Sequence, residues 1–503
     1  VNMKKIISLI TIIVFGSLTL FAQSKDILTV AGHEANLTLD PIATTMRTVI
    51  THTRPLMFDS LVSRDENGKF RPSLATSWKT INELTWEFSL RKGVKFHNGE
   101  KFDASSVQKT YGILLDPKQR KSQGFLWDGI SRIEKIDDYT VRIHTKKPMG
   151  TLLSNLAIGA LVPPSYNYET FGTKPIGTGP YKFVEWVRGD HLTAEANKSY
   201  WRGRPSFKKV IWYPMAEEST RVATAMTGEV DIISVIPTHM AKVLDANPNV
   251  NLMSVTSINT PHLALGGKAR TGPVGGNPLV LKAIAHAIDR DRIAKEAFRG
   301  YAWPASSSHA PGVLGHCPVD FGGYDPEKSK KLLAQAGFPD GISGLDSWYV
   351  KGAYPNIDEV AVLIHDMLRN VGIHVDIRIA PDWAVAGPLL NGGNFNVWYE
   401  AWNNYVLDAD FFLSFNFHSK GRYREGFERY PVWQEMDKLI EAARFNHDQN
   451  ERRDIYCKTE KLISQYPARL PLVHYKELYA VSSAIKGFKP KADGSIDYLS
   501  ISK

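Results

Sequence analysis

The apolar residues of this chain recur with two periods, one typical of strands and one typical of helices. Tyr181 to Val187 is aromatic and β-branched, Arg188-Gly189-Asp190 is turn-like, and Leu192 to Ala196 alternates apolar and polar positions. This pattern predicts a β-hairpin with a Tyr200-Trp201 pair just beyond it. Further short strands are predicted at 26–31, 86–90 and 138–145.

Helical periodicity appears between and after these strands. Asp103 is placed to cap a helix that stops at Asp116-Pro117, and a second helix is predicted from Glu217 to Gly228. The apolar run from Val230 to Val235 then predicts another strand.

The C-terminal half repeats a helix-then-strand pattern. Three helices are predicted in this half. One carries Val280, Ile284 and Ile288 on one stripe, the second begins at Asp325-Pro326 and ends at Gly337, and the third spans 357–371. Alternating isoleucine and valine at 373–379 predict the strand that follows the last of them. The whole pattern indicates a mixed α/β protein.

The long apolar run at the N-terminus has the pattern of a secretory leader. Lys4 and Lys5 precede the apolar stretch 6–21, and the small residues Ala22 and Ser24 offer cleavage points. An uncleaved membrane anchor is the alternative, but no stop-transfer cluster of charges follows. Because no cysteine lies near the cleavage point, the sequence predicts a soluble periplasmic protein and not a lipoprotein.

Length and charge restrict the function classes. A chain of 503 residues is too long for one core and predicts two or three lobes. Removal of Lys4 and Lys5 lowers the formal charge from +9 to +7. Basic residues are interspersed with acidic ones, which favours a solvated basic face over a nucleic-acid site and favours acidic ligands only weakly.

Residues typical of metal binding or catalysis form no recognisable motif. Cys317 and Cys457 lie far apart, and Cys457 falls off the apolar stripe of its predicted helix, so the pattern gives no argument for a disulfide and favours two free thiols. His309, His316 and Cys317 come nearest to a cluster, but without metal-ligand spacing. With no phosphate-binding loop and no nucleophile motif either, the sequence predicts neither a cofactor nor an enzyme.

Several segments, taken together, resemble one protein family. They are Leu39-Asp40-Pro41, the stretches 72–107, 174–204, 221–233 and 283–293, and YDPEKSKKLLAQAGFPDG at 324–341. In this order they are similar to the family 5 solute-binding proteins of ABC importers, the dipeptide, oligopeptide and nickel-binding group. The resemblance implies a monomeric receptor that captures a small solute and delivers it to the transmembrane subunits of an ABC permease.

The resemblance also implies the architecture. A type II periplasmic-binding-protein fold with an extra lobe closes about a hinge onto its ligand. The implied boundaries are a signal peptide at 1–24, lobe I at 25–57, 175–265 and 475–503, lobe II at 58–174, and lobe III at 266–474.

An aromatic segment at 395–417 is the first candidate for ligand contact. Such aromatic density is usually core, but Trp398 and Trp402 are followed by Asn403 and Asn404, whose amides suit a ligand in a cleft. The resemblance implies that this segment lines the cavity.

The same segment departs from the family pattern at one position. In the peptide-binding members an aspartate three residues after this tryptophan holds the peptide's α-ammonium, and here the position is Tyr405. Asp408 and Glu34 are the other acids considered for that role. Without one of them, ligands with a free α-amine are expected to bind poorly.

The loop after Leu39-Asp40-Pro41 is the second candidate, and it points to Thr45, Met46 and Arg47. An arginine at a cleft wall would receive a carboxylate or phosphate, and an exposed loop arginine is the alternative. A peptide is the predicted ligand. Oligosaccharides and metal chelates remain alternatives, and an exported hydrolase is the rival class.

Overall fold

The computed structural model describes residues 26–65, 68–119, 124–267, 272–421 and 431–503. The leader at 1–24 lies outside these residues. The strands are β1 Ile27–Gly32, β2 Val62–Arg64, β3 Phe70–Pro72, β4 Ala75–Asn82, β5 Thr85–Leu90, β6 Ile130–Asp137, β7 Thr140–Thr145, β8 Tyr181–Val187, β9 His191–Ala196, β10 Lys209–Pro214, β11 Ile232–Ile233, β12 Val250–Thr256, β13 Asn259–Leu265, β14 Ala302–Pro304, β15 Ile342–Val350, β16 Ile373–Ala380, β17 Val397–Asn403, β18 Arg469–Pro471 and β19 Val473–Ser482.

Helices connect and cover these strands. The α-helices are Arg54–Met57, Ala104–Leu115, Leu152–Ile158, Tyr168–Phe171, Glu218–Thr227, Ala241–Asp245, Pro273–Gly276, Pro278–Ala287, Arg290–Glu296, Pro326–Gln335, Ile357–Asn370, Trp383–Gly392, Ala409–Asn416, Trp433–Arg444 and Gln449–Gln465. Val49–Thr53 is π-helical, and Gly124–Trp127 and Thr238–Met240 are 3₁₀ turns. None of the helices in the described part of the chain is long and apolar enough to cross a membrane.

The largest sheet joins both ends of the described chain. Its strands run in the order β12-β19-β11-β1-β10-β9-β8, and β14 pairs with β19. β1 is parallel to β10 and β11, whereas β19 is antiparallel to its neighbours β11 and β12. The predicted hairpin is confirmed as β8 and β9 at one edge of this sheet.

A second sheet of five strands carries the aromatic candidates. Its order is β16-β15-β17-β13-β18, with β15 parallel to β16 and β17. One hydrophobic core includes residues of this sheet and of the helices Pro278–Ala287 and Ile357–Asn370. Trp398 and Trp402 both lie on β17, which is paired with β13 along its whole length.

The third sheet, β4-β5-β7-β6, is antiparallel throughout. The helix Ala104–Leu115 shares a core with it through Val107, Tyr111 and Leu114. The Asp103 side chain accepts the Ser105 N–H at 2.8 Å, which confirms the predicted cap.

Two elements differ from their sequence patterns for local reasons. The run from Val230 to Val235 contributes only Ile232–Ile233, because Val235 has a positive φ of 58° that an extended strand does not allow. The stripe ending at Ile288 breaks into two helices, since Ile288 is extended and the Asp289 side chain caps Arg290–Glu296.

The turn before the hairpin anchors it to the rest of the fold. Gly177 and Gly179 lie so close to the Met57 backbone that a Cβ at either position would overlap it. The Gly179 N–H donates to the Met57 carbonyl at 2.9 Å. The half-buried Asp59 carboxylate accepts from Thr178, Tyr200 and Trp201 at 2.8–3.0 Å. The turn glycines and the Tyr-Trp pair are therefore structural.

Cys317 and Cys457 form a disulfide, with their Cα atoms 5.3 Å apart. The expectation of two free thiols was wrong. The separation of 140 residues says nothing about distance in the folded chain, and Cys457 leaves the apolar stripe of its helix because it faces the 305–317 segment.

Candidate functional site

The candidate site is built on one helical segment that follows Leu39-Asp40-Pro41. Asp40 fixes its entry, because its carboxylate accepts from the Ile42 N–H at 3.0 Å and the Tyr166 hydroxyl at 2.6 Å. The Thr44 hydroxyl then accepts the Met46 N–H at 3.0 Å. Helical backbone runs from residue 47 to residue 57 and carries both Arg47 and Arg54. Thr45 and Met46, two of the predicted residues, lie half-buried at its start.

Arg47 is buried, not exposed on a loop. Its side chain is only 9% exposed, and Nη2 donates to Glu477 Oε1 at 2.5 Å. The Tyr479 hydroxyl donates to the same carboxylate oxygen. Burial, the largest single effect, would lower the pKa of Arg47, but Glu477 acting together with three tyrosines holds that pKa well above its usual value. Arg47 Nη1 is buried with no hydrogen-bond acceptor in the described ranges.

The Arg47 charge acts on one histidine, His52, and on one glutamate, Glu34. Burial, reinforced by the Arg47 charge, lowers the pKa of His52 to about 3, so this imidazole is neutral. Glu34 accepts from the Trp383 indole N–H at 3.2 Å and lies 3.5 Å from His33. Burial opposes ionisation of Glu34, yet His33 and Arg47 bring its pKa below the ordinary value. Glu34 is thus an anion that already has partners.

Tyr405 interacts electrostatically with the charged groups of this site. It is buried, and burial raises the pKa of its phenol well above the usual value, with Glu34, Glu477 and Asp493 acting in the same direction and Arg47 against them. Tyr405 is therefore neutral near pH 7. At the position where peptide-binding relatives are expected to have a carboxylate, this site has an uncharged ring and hydroxyl.

Arg54 was not among the predicted site residues. Its guanidinium donates to the Ile158 carbonyl, and no carboxylate lies within salt-bridge distance among the residues described. Burial lowers the pKa of Arg54 to about 10, with Asp493 and Tyr405 opposing the shift.

Trp402 is half-buried beside a group of phenylalanines. Its ring centroid is 5.6 Å from Phe411, 5.8 Å from Phe412 and 5.3 Å from Phe415. Asn403 ends β17 and is also half-buried. Trp398 differs, since it is fully buried in the core of the five-stranded sheet.

Asn404 follows β17 and is 2% exposed. Its Oδ1 accepts the Asp408 N–H at 3.4 Å, whereas its Nδ2 is buried with no acceptor in the described part of the chain. Asn404 thus resembles Arg47 in presenting a buried N–H group without an acceptor.

Asp408 is committed to a structural ion pair. Arg452 Nη2 contacts both carboxylate oxygens at 2.6 and 2.7 Å, and the Tyr456 hydroxyl donates to one of them at 2.7 Å. Both partners of the ion pair are 2% exposed. The Asp408 carboxylate is therefore not presented to a ligand, and it does not take over the role of the residue replaced by Tyr405.

His309, His316 and Cys317 are not arranged as ligands of a metal ion. Cys317 is in the disulfide, and His316 Nδ1 donates to the His309 carbonyl at 2.6 Å. Within the described ranges no group of three histidine, cysteine, aspartate or glutamate side chains is arranged to hold a metal ion.

A cavity of about 460 Å³ lies where the helix Glu218–Thr227 faces the loop that follows β15. It is lined by the start of the helix Glu218–Thr227, by His239 and Met240, and by Lys351, Gly352 and Asp358. Close by, Lys351 contacts Glu217 at 3.3 Å, His33 bonds the Ala353 carbonyl at 2.9 Å, and Trp383 bonds Glu34. The loops of the two sheets are thus in contact in this structure.

Comparisons with known proteins agree on one family. Residues 69–424 match the model of the bacterial extracellular solute-binding proteins, family 5 Middle. The glutathione-binding protein GsiB of Escherichia coli K12 is 29% identical over 479 residues, which are 92% of each chain.

Solved structures share the fold. The ABC transporter-associated periplasmic binding protein DppA of Helicobacter pylori, in complex with the peptide STSA, is 26% identical with a TM-score of 0.85, covering 95% of this chain and 98% of that one. AgaA of A. tumefaciens R10, in complex with agropinic acid, is 26% identical with a TM-score of 0.83, covering 94% and 98%. The mixed α/β fold is therefore that of the periplasmic binding proteins.

Proposed function

The chain belongs to the bacterial extracellular solute-binding proteins of family 5, and from that membership we propose that it captures a peptide or peptide-like solute in the periplasm and delivers it to an ABC permease. Relatives named for glutathione and for a bound peptide support this ligand class. These relatives are binding proteins by name, which agrees with a role without turnover.

The observation that carries the proposal is a half-buried tryptophan two residues from a buried amide whose N–H group has no acceptor in the described part of the chain. Trp402 and its phenylalanine neighbours present apolar rings. Arg47 and Asn404 present buried N–H groups that the described residues leave without acceptors. Rings that exclude water beside a few oriented polar groups are typical of small-molecule sites. We place ligand contact at Thr45, Met46, Arg47, Trp402, Asn403, Asn404 and Tyr405.

The three predicted lobes fit this role. We propose that the ligand lies between lobes I and III and that closure traps it, because the polar groups of both lobes are then satisfied together.

The direct test identifies what the protein retains. Mass spectrometry of the ligand released after mild purification from cells is expected to yield a peptide or a peptide-like compound. A thermal-shift screen of glutathione, dipeptides, oligosaccharides and nickel–histidine complexes provides the second readout. Stabilisation by an oligosaccharide or a metal chelate alone would overturn the ligand class, and turnover of any bound compound would overturn the binding-protein role.

The α-amine of the ligand is a separate part of the proposal. Tyr405 offers no countercharge, Asp408 is engaged by Arg452, and Glu34 already has Trp383 and His33 as partners. A buried ammonium without a countercharge costs several kcal/mol. Calorimetry is therefore expected to show tighter binding of N-acetylated or cyclic peptides than of their free-amine forms. Binding that collapses on N-acetylation would contradict this.

The periplasmic location is tested by cell fractionation. With a cleaved leader and no lipid anchor, the protein is expected in the periplasmic extract. Retention in the membrane fraction after a high-salt wash would show an anchored protein instead.

A further inference from the structure

The loop after β17 contains a strained turn directly beside two of the proposed ligand contacts. Leu407 has a φ of 54°, in the left-handed region that residues other than glycine rarely occupy. Its N–H donates to the Asn404 carbonyl at 2.9 Å, which closes a turn over four residues that include Tyr405. A strained backbone persists only where its surroundings fix it. The positions of Asn404 and Tyr405 therefore depend on the contacts that hold this turn.

The backbone of Leu314 holds the turn from one side. Its N–H donates to the Leu407 carbonyl at 3.1 Å, and its carbonyl accepts the Ala409 N–H at 2.8 Å. Leu314 and Asp408 thus form an isolated parallel bridge. The next residue along, Gly315, lies so close that a Cβ there would be 2.5 Å from the Ala409 Cβ. The two backbones are therefore in direct contact at the strained position.

The helix Gln449–Gln465 holds the same turn through the side chain of Asp408. Arg452 and the Tyr456 hydroxyl both donate to the Asp408 carboxylate, at 2.6–2.7 Å. The Tyr456 ring also packs against the first holder, since a Cβ on Gly315 would be 3.0 Å from Tyr456 Cδ2. The turn is thus held by a backbone bridge and by a buried ion pair that belong to two different elements.

The Cys317–Cys457 disulfide joins these two elements covalently. Cys317 lies three residues after Leu314, and Cys457 directly follows Tyr456. Their Cα atoms are 5.3 Å apart, so the bridge lies close to both holders in the chain. Without the bridge, non-covalent contacts alone connect the two elements, and such contacts open locally more readily than a covalent link does.

From these contacts we propose that the disulfide is a positioning element of the binding site. It fixes the turn at 404–408, so that Asn404 and Tyr405 meet the solute in one geometry. The inference rests on the proposed solute-binding function and adds to it two residues that set the affinity without touching the solute. Contacts that are ordered before the solute arrives bind it more tightly, because binding then costs less conformational entropy.

The first test removes the bridge. Binding of glutathione and of a set of N-acetylated dipeptides is measured by calorimetry at a temperature where circular dichroism shows each protein folded. Cys317→Ser/Cys457→Ser is expected to bind the tightest of these probes about tenfold more weakly than the wild type. Binding is not expected to vanish, because Arg64 still donates to the Val406 carbonyl at 2.9 Å.

Leu114→Ala controls for loss of stability by itself. Leu114 is 1% exposed in the core of the helix Ala104–Leu115, so this variant is expected to lower the unfolding midpoint and to leave the affinity within twofold of the wild type. An equal loss of affinity in Leu114→Ala would show that stability alone sets the affinity, and would overturn the positioning role.

Two glycine variants test the same contact with the disulfide intact. Gly312 and Gly315 both have a positive φ, of 93° and 108°, so an alanine strains the backbone at either position. A Cβ on Gly312 meets nothing within 4 Å, whereas one on Gly315 overlaps Ala409. Gly315→Ala is expected to weaken probe binding at least fivefold, and Gly312→Ala to leave it within twofold. This pair keeps the inference testable if the double cysteine variant fails to fold.

Hydrogen exchange of the proteins without solute separates positioning from general stability. The Leu407 and Ala409 N–H groups are expected to exchange faster in the double cysteine variant and in Gly315→Ala than in the wild type, and at an unchanged rate in Leu114→Ala. Wild-type affinity in both the double cysteine variant and Gly315→Ala would overturn the positioning role and leave the solute-binding function intact. Failure of the wild type to bind any probe would overturn the proposed ligand class and this inference with it.

Discussion

At the scale of single residues, substitution of Trp402 tests whether this side chain contacts the ligand or packs in the core. Its ring is half-buried against Phe411, Phe412 and Phe415. Trp402→Ala is expected to cost on the order of 2 kcal/mol or more of ligand binding free energy while the protein stays folded. Calorimetry with the ligand from the mass-spectrometric identification measures this.

Trp398 supplies the control for that measurement. It lies on the same strand but is fully buried. Trp398→Phe is expected to lower the unfolding midpoint and leave the affinity close to that of the wild type. Normal ligand binding by Trp402→Ala, or failure of this variant to fold, would show that Trp402 is a core residue and not a ligand contact.

Glu460 gives the protein a pH dependence that is independent of the ligand. It is fully buried, and burial raises the pKa of its carboxyl to about 8, although the Ser308 N–H and the hydroxyls of Ser307 and Ser308 oppose the shift. The folded state therefore binds a proton that the unfolded state releases above its ordinary pKa of about 4.5. The free energy of unfolding therefore falls as the pH rises from about 4.5 towards 8, and the loss is complete above about pH 8.

Glu460→Gln removes the titrating carboxyl group and keeps a side-chain oxygen that can accept the Ser308 N–H. Denaturation curves at pH 5 and pH 9 are expected to show that the wild type loses on the order of a few kcal/mol more unfolding free energy over this interval than the variant. Parallel pH profiles for the two proteins would contradict an ionising Glu460.

At the residue scale, local environments were predictable from the sequence, whereas partners distant in the chain were not. The substitution at Tyr405 was visible in the sequence because the aromatic segment provides its register. Asp408 was assigned to the ligand because Arg452, which occupies it, lies 44 residues further along the chain. Arg54 was missed because nothing in a short Arg-Pro-Leu-Met helix indicates that its guanidinium is left without a carboxylate.

At the scale of elements, the disulfide holds the segment 305–317 on the helix Gln449–Gln465. Cys457 and Glu460 lie one turn apart on this helix, and Glu460 accepts the Ser308 N–H at 3.0 Å. The Cys317→Ser/Cys457→Ser variant is expected to lose about 2–4 kcal/mol of unfolding free energy. Denaturation with and without reductant measures the loss.

Reductant provides the internal control for the disulfide. The wild type is expected to lose stability on reduction, and the double variant to be unaffected. A wild type that is equally stable in both conditions would argue against a bridge that contributes to the fold.

Helices and strands with a clear periodicity of apolar residues were predictable from the sequence, whereas the contacts between them were not. The Asp103 cap, the helix that ends at Gly228 and the hairpin follow from local chemistry, so their residues specify them without help from elsewhere. The shortened strand at Ile232–Ile233 and the break after Ala287 reflect backbone angles at Val235 and Ile288 that the apolar pattern does not reveal.

At the scale of the whole molecule, loops of the two large sheets contact each other through the pairs Lys351–Glu217 and Trp383–Glu34. We expect ligand to favour these contacts, so that the radius of gyration measured by small-angle X-ray scattering falls when the cognate ligand is added. Trp383→Phe removes the donor to Glu34 and is expected to weaken binding and reduce this change.

The exposed Lys351–Glu217 pair is the control that compares the effect of Trp383→Phe on binding with the effect of removing a surface charge. Both side chains are more than half exposed. Lys351→Ala is therefore expected to change the binding free energy by less than about 1 kcal/mol. A larger effect from Lys351→Ala than from Trp383→Phe would assign closure to surface electrostatics.

The position of β19 also sets the order in which the molecule is completed. β19 separates β11 from β12 in the largest sheet and carries Glu477, the partner of Arg47. At roughly 5–20 residues per second, the residues of β19 leave the ribosome about 20–90 s after those of β1. During this interval the nascent polypeptide lacks an internal strand of the sheet, so β11 and β12 have no strand between them. Completion of the largest sheet therefore waits for the synthesis of β19.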